Sequence, residues 1–205
     1  MSAVQAQGLT EDRHKARAQK HKEAVDAKIA AATIDKGLLL VLTGNGKGKS
    51  SSAFGMVART LGYGHKAAVF QFIKGAQEVG ERAFFAAHPN MTWEKCGEGF
   101  TWETQSRERD IAAARAGWEK AKAALADPTI HLVVLDELTY LVTYRYLELE
   151  EIMPALLGRP EAQHVVITGR AAHQDLIDAA DTVSSVQDVK HAFRAGVRAQ
   201  EGIDR

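Results

Sequence analysis

The run Thr43-Gly44-Asn45-Gly46-Lys47-Gly48-Lys49-Ser50-Ser51 sets two lysines and three hydroxyls among three glycines. That mixture suits the holding of a polyphosphate. Glycines let the backbone take positive φ, so that successive N–H groups converge on an anion. Lys49 adds a full positive charge, and the Ser50 hydroxyl is a ligand for Mg²⁺. The usual spacing, GxxxxGK[ST], is met except that Thr43 holds its first glycine position and Gly44 follows. Gly46 and Lys47 supply flexibility and charge in compensation. Gly44, Asn45, Gly46, Lys47, Gly48, Lys49, Ser50 and Ser51 are therefore the expected cradle for the phosphates of ATP. A second constellation is Leu132-Val133-Val134-Leu135-Asp136-Glu137, four apolar residues ending in two carboxylates. One acid would bind Mg²⁺ directly or through water while the other orients that water. Ser50, Glu137 and Asp136 are the candidate metal residues, and Mn²⁺ would suit the same oxygen donors.

Such a loop works only between a strand and a helix. Leu38 to Leu42 is a short continuous apolar run, as for a strand buried on both faces. A helix is predicted from Lys49 to Leu61, its dipole directed at the loop. Further strands are expected at Ala67–Ile73, Met91–Lys95, Ile130–Leu135, His164–Ile167 and Thr182–Val186. Helices are expected at Thr104–Ala126 and Ala172–Ala179. Strands alternating with helices imply parallel pairing and right-handed crossovers. The predicted fold is α/β, a P-loop NTPase with a RecA-like, mostly parallel sheet and helices on both faces. Residues 1–36 differ in texture. Thr10 to Ala32 is alanine-rich with basic residues on all sides, and Thr10 is placed to cap a helix. Residues 1–36 are thus expected to be a basic helical arm and residues 37–205 the nucleotide-binding domain.

Composition narrows the function. Lys plus Arg equals Asp plus Glu at 26 each in 205 residues, so no net field points to nucleic acid or a membrane surface. No apolar run approaches a membrane helix, no secretory leader is visible, and the single cysteine, Cys96, excludes an internal disulfide. A cytoplasmic protein is expected. No NKxD segment supports guanine recognition, and no arginine-rich lid marks a small-molecule kinase. The residues themselves stop at Mg²⁺-dependent ATP binding. A transferase, a regulatory or motor ATPase, and a non-catalytic nucleotide binder all stay open. His131, His164, His173 and His191 are scattered without metal-ligand spacing, and Cys96 reads as packing. Tyr140 and Gln71 fit either the lining of a pocket or the core.

The motifs go further together. TGNGKGKSS at 43–51, QFIKG at 71–75, GER at 80–82, GFTWETQ at 99–105, VVLDELTY at 133–140, HVVITGR at 164–170 and VKHAF at 189–193 stand in a distinctive order. In these the chain resembles the P-loop ATP:corrinoid adenosyltransferases, also called cob(I)alamin adenosyltransferases, from about Arg13 to Arg205. It departs from them at Ser50, where threonine is frequent, and at Ala171, where glycine is expected. The resemblance implies transfer of the 5′-deoxyadenosyl group of ATP to the Co(I) of a reduced corrinoid, with triphosphate leaving. It implies that Lys47 and Lys49 neutralise the departing charge, that Ser50 and Glu137 hold the metal with Asp136 behind them, and that Arg170 reaches a phosphate. It gives Phe100 and Trp102 the task of displacing the lower axial ligand of cobalt. It further implies an amino-terminal helix that closes over the corrin ring, a homodimer, and a reduced flavoprotein as electron donor.

Overall fold

A computed structural model describes residues 3–73, 80–97 and 106–204. Phe100 and Trp102 lie outside the described residues. The chain forms two compact units, residues 1–35 and 36–205. The first is one helix, α1 (Ala3–Ala31). It starts well before Thr10, because Ala-Val-Gln-Ala-Gln consists largely of helix formers and the helix runs on through them. Thr10 is therefore an interior residue and not the cap expected of it. From Arg13 to Ala31 every residue is exposed, Val25 and Ile29 included, so this stretch buries no apolar stripe.

The second unit is built on six strands: β1 (Leu39–Thr43), β2 (Lys66–Gln71), β3 (Met91–Lys95), β4 (Ile130–Asp136), β5 (His164–Thr168) and β6 (Thr182–Ser185). They pair in the order β3-β2-β4-β5-β1-β6, all parallel. The helices are α2 (Lys49–Gly62), α3 (Gly80–Phe85), α4 (Arg107–Ala126), α5 (Leu138–Thr143), α6 (Leu149–Leu157) and α7 (Gln174–Ala179), with a 3₁₀ turn at Ala192–Ala195. The α/β architecture follows the sequence, but α3, α5 and α6 were not anticipated. Each is short, from six to nine residues, and gives periodicity little length to act on.

Alternate residues of the buried strands feed two cores. Val133 and Leu135 of β4 join Phe70, Trp118, Leu125, Leu138, Ile152 and Leu156 on one face. Leu132 and Val134 join Phe54, Val57, Leu61 and Phe85 on the other. Helices thus cover both faces. β5 lies between β1 and β4, so the acids at the end of β4 stand one intervening strand away from the phosphate loop after β1.

Candidate active site

The loop after β1 turns on backbone that only glycine takes easily. Gly44 has φ 98°, and a Cβ there would lie 2.4 Å from the Val186 carbonyl oxygen. Gly48 has φ 116° and immediately precedes α2. The Gly46 N–H donates to the Val186 carbonyl at 2.8 Å, which ties the loop to the segment after β6. Lys49 is buried, and its Nζ donates to the Gly46 carbonyl at 2.7 Å. Burial pushes its pKa below the usual lysine range. Glu137 and Asp136 pull it upward, and Arg170 pushes with the burial. The loop lysine, the two acids and the arginine therefore act on one another electrostatically. Lys47 is exposed and forms an ion pair with Asp204.

These residues open on a cleft of about 770 Å³ at the carboxyl ends of the strands, within the range of small-molecule sites. Asn45, Gly46, Lys47, Gly48, Lys49, Ser50 and Ser51 line it together with Glu137 and Arg170. The loop, one acid and the arginine that the sequence singled out are thus brought together. Gly44 shapes the turn from behind. Ser50 and Glu137 offer a hydroxyl and a carboxylate to the same space, a hard oxygen set that fits Mg²⁺. Asp136 does not reach it. Its side chain is wholly buried, with one carboxylate oxygen accepting from Thr168 Oγ1 at 2.7 Å and the other from Gln71 Nε2 at 2.9 Å.

Tyr140 lines the cleft, and its phenol is pushed up by burial and by the Glu137 charge. Gln71 belongs to the core instead. Ala171 takes φ 48°, the left-handed conformation that accounts for the glycine expected there. Glu81, Tyr144, His191 and Asp204 also line the cleft. Tyr144 follows Tyr140 by one helical turn with ring centroids 5.7 Å apart, a spacing open to reading in advance. Nothing local to Asp204 signals its position.

Of the histidines that look scattered in the sequence, His131 and His164 come together, while His173 and His191 stay apart. His65 stacks on His131 with ring centroids 4.2 Å apart, and His131 meets His164 edge to face at 4.8 Å, at the amino ends of β2, β4 and β5. Among the described residues no group of three or more His, Cys, Asp or Glu is arranged to hold a metal ion. Cys96 packs in the core and burial pushes its thiol up to about 12.

A family model described as "ATP:corrinoid adenosyltransferase BtuR/CobO/CobP" matches residues 35–204. Another, described as "Cob(I)alamin adenosyltransferase N terminal", matches residues 8–29. The chain is 54% identical over 195 residues to a corrinoid adenosyltransferase of Pseudomonas aeruginosa, covering 95% of this chain and 96% of that one. It is 52% identical over 196 residues to the corrinoid adenosyltransferase CobA of Salmonella typhimurium, covering 96% and 100%. A corrinoid adenosyltransferase of a Sinorhizobium species is 44% identical over 195 residues, covering 94% and 91%.

Proposed function

This chain belongs to the ATP:corrinoid adenosyltransferase family, and from that premise we propose how its own residues carry the transfer. ATP and a corrinoid are its substrates. In the reaction, the electron pair of Co(I) forms a bond to the 5′ carbon of ATP. The bond from that carbon to oxygen breaks, and its pair leaves with the triphosphate. The phosphate loop therefore holds a leaving group. Lys49, held against Gly46, faces the negative charge that builds there, and a preset charge in a partly dry cleft acts strongly on such a change. Lys47 and Arg170, which line the same cleft, add further positive charge. Ser50 and Glu137 would hold Mg²⁺, which when bound supplies further positive charge to the departing triphosphate. Asp136 stands behind them.

Phe100 and Trp102 are assigned to the lower face of the corrin, where they exclude the axial ligand and water. The amino-terminal helix, residues 1–36, would close over the ring. Its exposed, unstriped surface suits a segment that meets its partner only when the substrate is bound. Residues 37–205 form the catalytic domain in this reading. A homodimer, a reduced flavoprotein donor and a cytoplasmic setting complete it by analogy with the family.

The convergence of Lys49, Glu137 and Arg170 on one cleft beside the phosphate loop carries the proposal. The test is anaerobic, with protein, ATP, Mg²⁺ and chemically reduced cob(I)alamin followed by visible absorbance. The expected outcome is loss of the Co(I) spectrum, a light-sensitive adenosylated corrinoid and one triphosphate per turnover. An unchanged spectrum with inorganic phosphate released would return the protein to the ATPases.

A further inference from the structure

Behind the cleft, side-chain hydrogen bonds link neighbouring strands in addition to the backbone pairing. Trp93 of β3 donates from Nε1 to Gln71 Oε1 of β2 at 2.9 Å. Gln71 Nε2 donates to Asp136 of β4 at 2.9 Å, and Thr168 Oγ1 of β5 donates to the other oxygen of that carboxylate at 2.7 Å. The Glu137 backbone N–H then donates to Thr168 Oγ1 at 3.0 Å. The chain crosses four strands and ends on the backbone of the residue that faces the nucleotide.

Its direction is fixed by chemistry. An indole N–H can only donate, so the Gln71 carbonyl must face Trp93 and its amide N–H must face Asp136. Thr168 has one proton, and its oxygen already accepts from Glu137, so that proton goes to Asp136. Gln71 and Thr168 thus each donate to one oxygen of the Asp136 carboxyl group, which fixes its orientation. Glu137 has φ 65° and ψ 20°, a left-handed conformation that costs a non-glycine residue about 1 kcal/mol. Its hydrogen bond to Thr168 offsets that cost and sets where the Glu137 side chain leaves the backbone. Trp93 braces the far end. Its ring lies 5.0 Å from Phe54 of α2, the helix that begins at Lys49, and 6.1 Å from Phe85 of α3.

We propose that Trp93 and Gln71 are positioning residues for this transferase. Through Asp136 and Thr168 they hold Glu137 in register with the phosphate loop. None of the four lines the cleft, so each acts through Glu137. The proposal rests on Glu137 being a metal residue, and the experiment keeps the two ideas apart.

The measurement is ATP affinity by calorimetry without corrinoid, with and without Mg²⁺, alongside kcat from prepared Co(I) substrate. Trp93→Phe keeps the ring and loses the donor, and Gln71→Met keeps the length and loses both contacts. Each should reduce the gain in ATP affinity that Mg²⁺ confers by about 10-fold, leave Mg²⁺-free affinity unchanged, and lower kcat. The double variant should be no worse than Gln71→Met, because Trp93 acts through Gln71. A folded Trp93→Phe protein with the full Mg²⁺ gain overturns the proposal, and so do losses that multiply. If Gln71→Met does not fold, Trp93→Phe alone decides. Glu137→Gln separates the premises. Retention of the Mg²⁺ gain there sinks the metal reading of Glu137 and the relay with it. Its loss beside an unaffected Trp93→Phe sinks only the relay.

Discussion

Lys49 is buried, bonded to its own loop, and pushed by that burial toward the neutral form while two carboxylates pull it back. A cation held this way serves function at the expense of the fold, because a buried charge stabilises only when fully paired. Lys49→Met should therefore lower kcat about 10²- to 10³-fold while leaving the melting temperature unchanged or higher. The pairing of a kinetic assay with a thermal melt checks it. A large fall in melting temperature with modest loss of rate would make Lys49 a structural residue. Lys47 differs, since it is exposed and already engaged by Asp204. A triphosphate must exchange that carboxylate for its own oxygens, so Asp204→Asn should strengthen ATP binding several-fold by relieving the competition. Calorimetry at low and high salt would register the change, and the gain should shrink as salt screens the pair.

Elements meet through a few buried polar groups whose loss is out of proportion to their size. Gln163, just before β5, donates from Nε2 toward the carbonyls of Ala124, Asp127 and Ile130 at 3.1, 3.0 and 3.1 Å. It thereby fixes the end of α4 to the start of β4. Gln163→Leu should cost about 1–3 kcal/mol by leaving buried carbonyls without that donor, read as a lower urea midpoint at constant slope. The strands, α2 and α4 were legible because their signals are local: apolar runs, an alanine-rich stretch, and stops at Gly62 and at Asp127-Pro128. The phosphate loop and Asp136-Glu137 were legible because the spacing itself is the mechanism. Gln163, Thr168 and Trp93 were not, since each gains its meaning from partners 22 to 39 residues away. The same holds for α5, which packs on β5, and for α6, which packs on α4. Asp136 shows both sides: its type and place were readable, but its turn away from the cleft depends on Gln71 and Thr168.

Across the whole sheet, chemistry sits at the carboxyl ends of the strands and a histidine cluster at the amino ends. Burial lowers the pKa of His131 and of His164. His65 and His164 add to the effect at His131, and Arg159 and His65 add to it at His164. The His164 Nδ1 also accepts from the Leu38 N–H at 3.0 Å, a bond that protonation there would abolish. The unfolded chain protonates these imidazoles near pH 6.5, the folded chain only at lower pH. Stability should thus be intact above about pH 6.5 and fall as the pH drops below it. The urea midpoint measured between pH 8 and pH 5 checks this, and His131→Phe, which keeps a ring in the stack, should flatten the profile. The strand order has one more consequence, for synthesis on the ribosome. β1 carries the phosphate loop near the start of the sheet domain, yet its neighbours are β5 and β6, whose register partners lie more than 120 residues later. The nascent strand has no sheet neighbour until β5 has left the exit tunnel, and the Gly46 N–H lacks its Val186 acceptor until β6 has followed. A translation product cut before β5 therefore lacks the strand that seats β1 in the sheet and should bind ATP poorly.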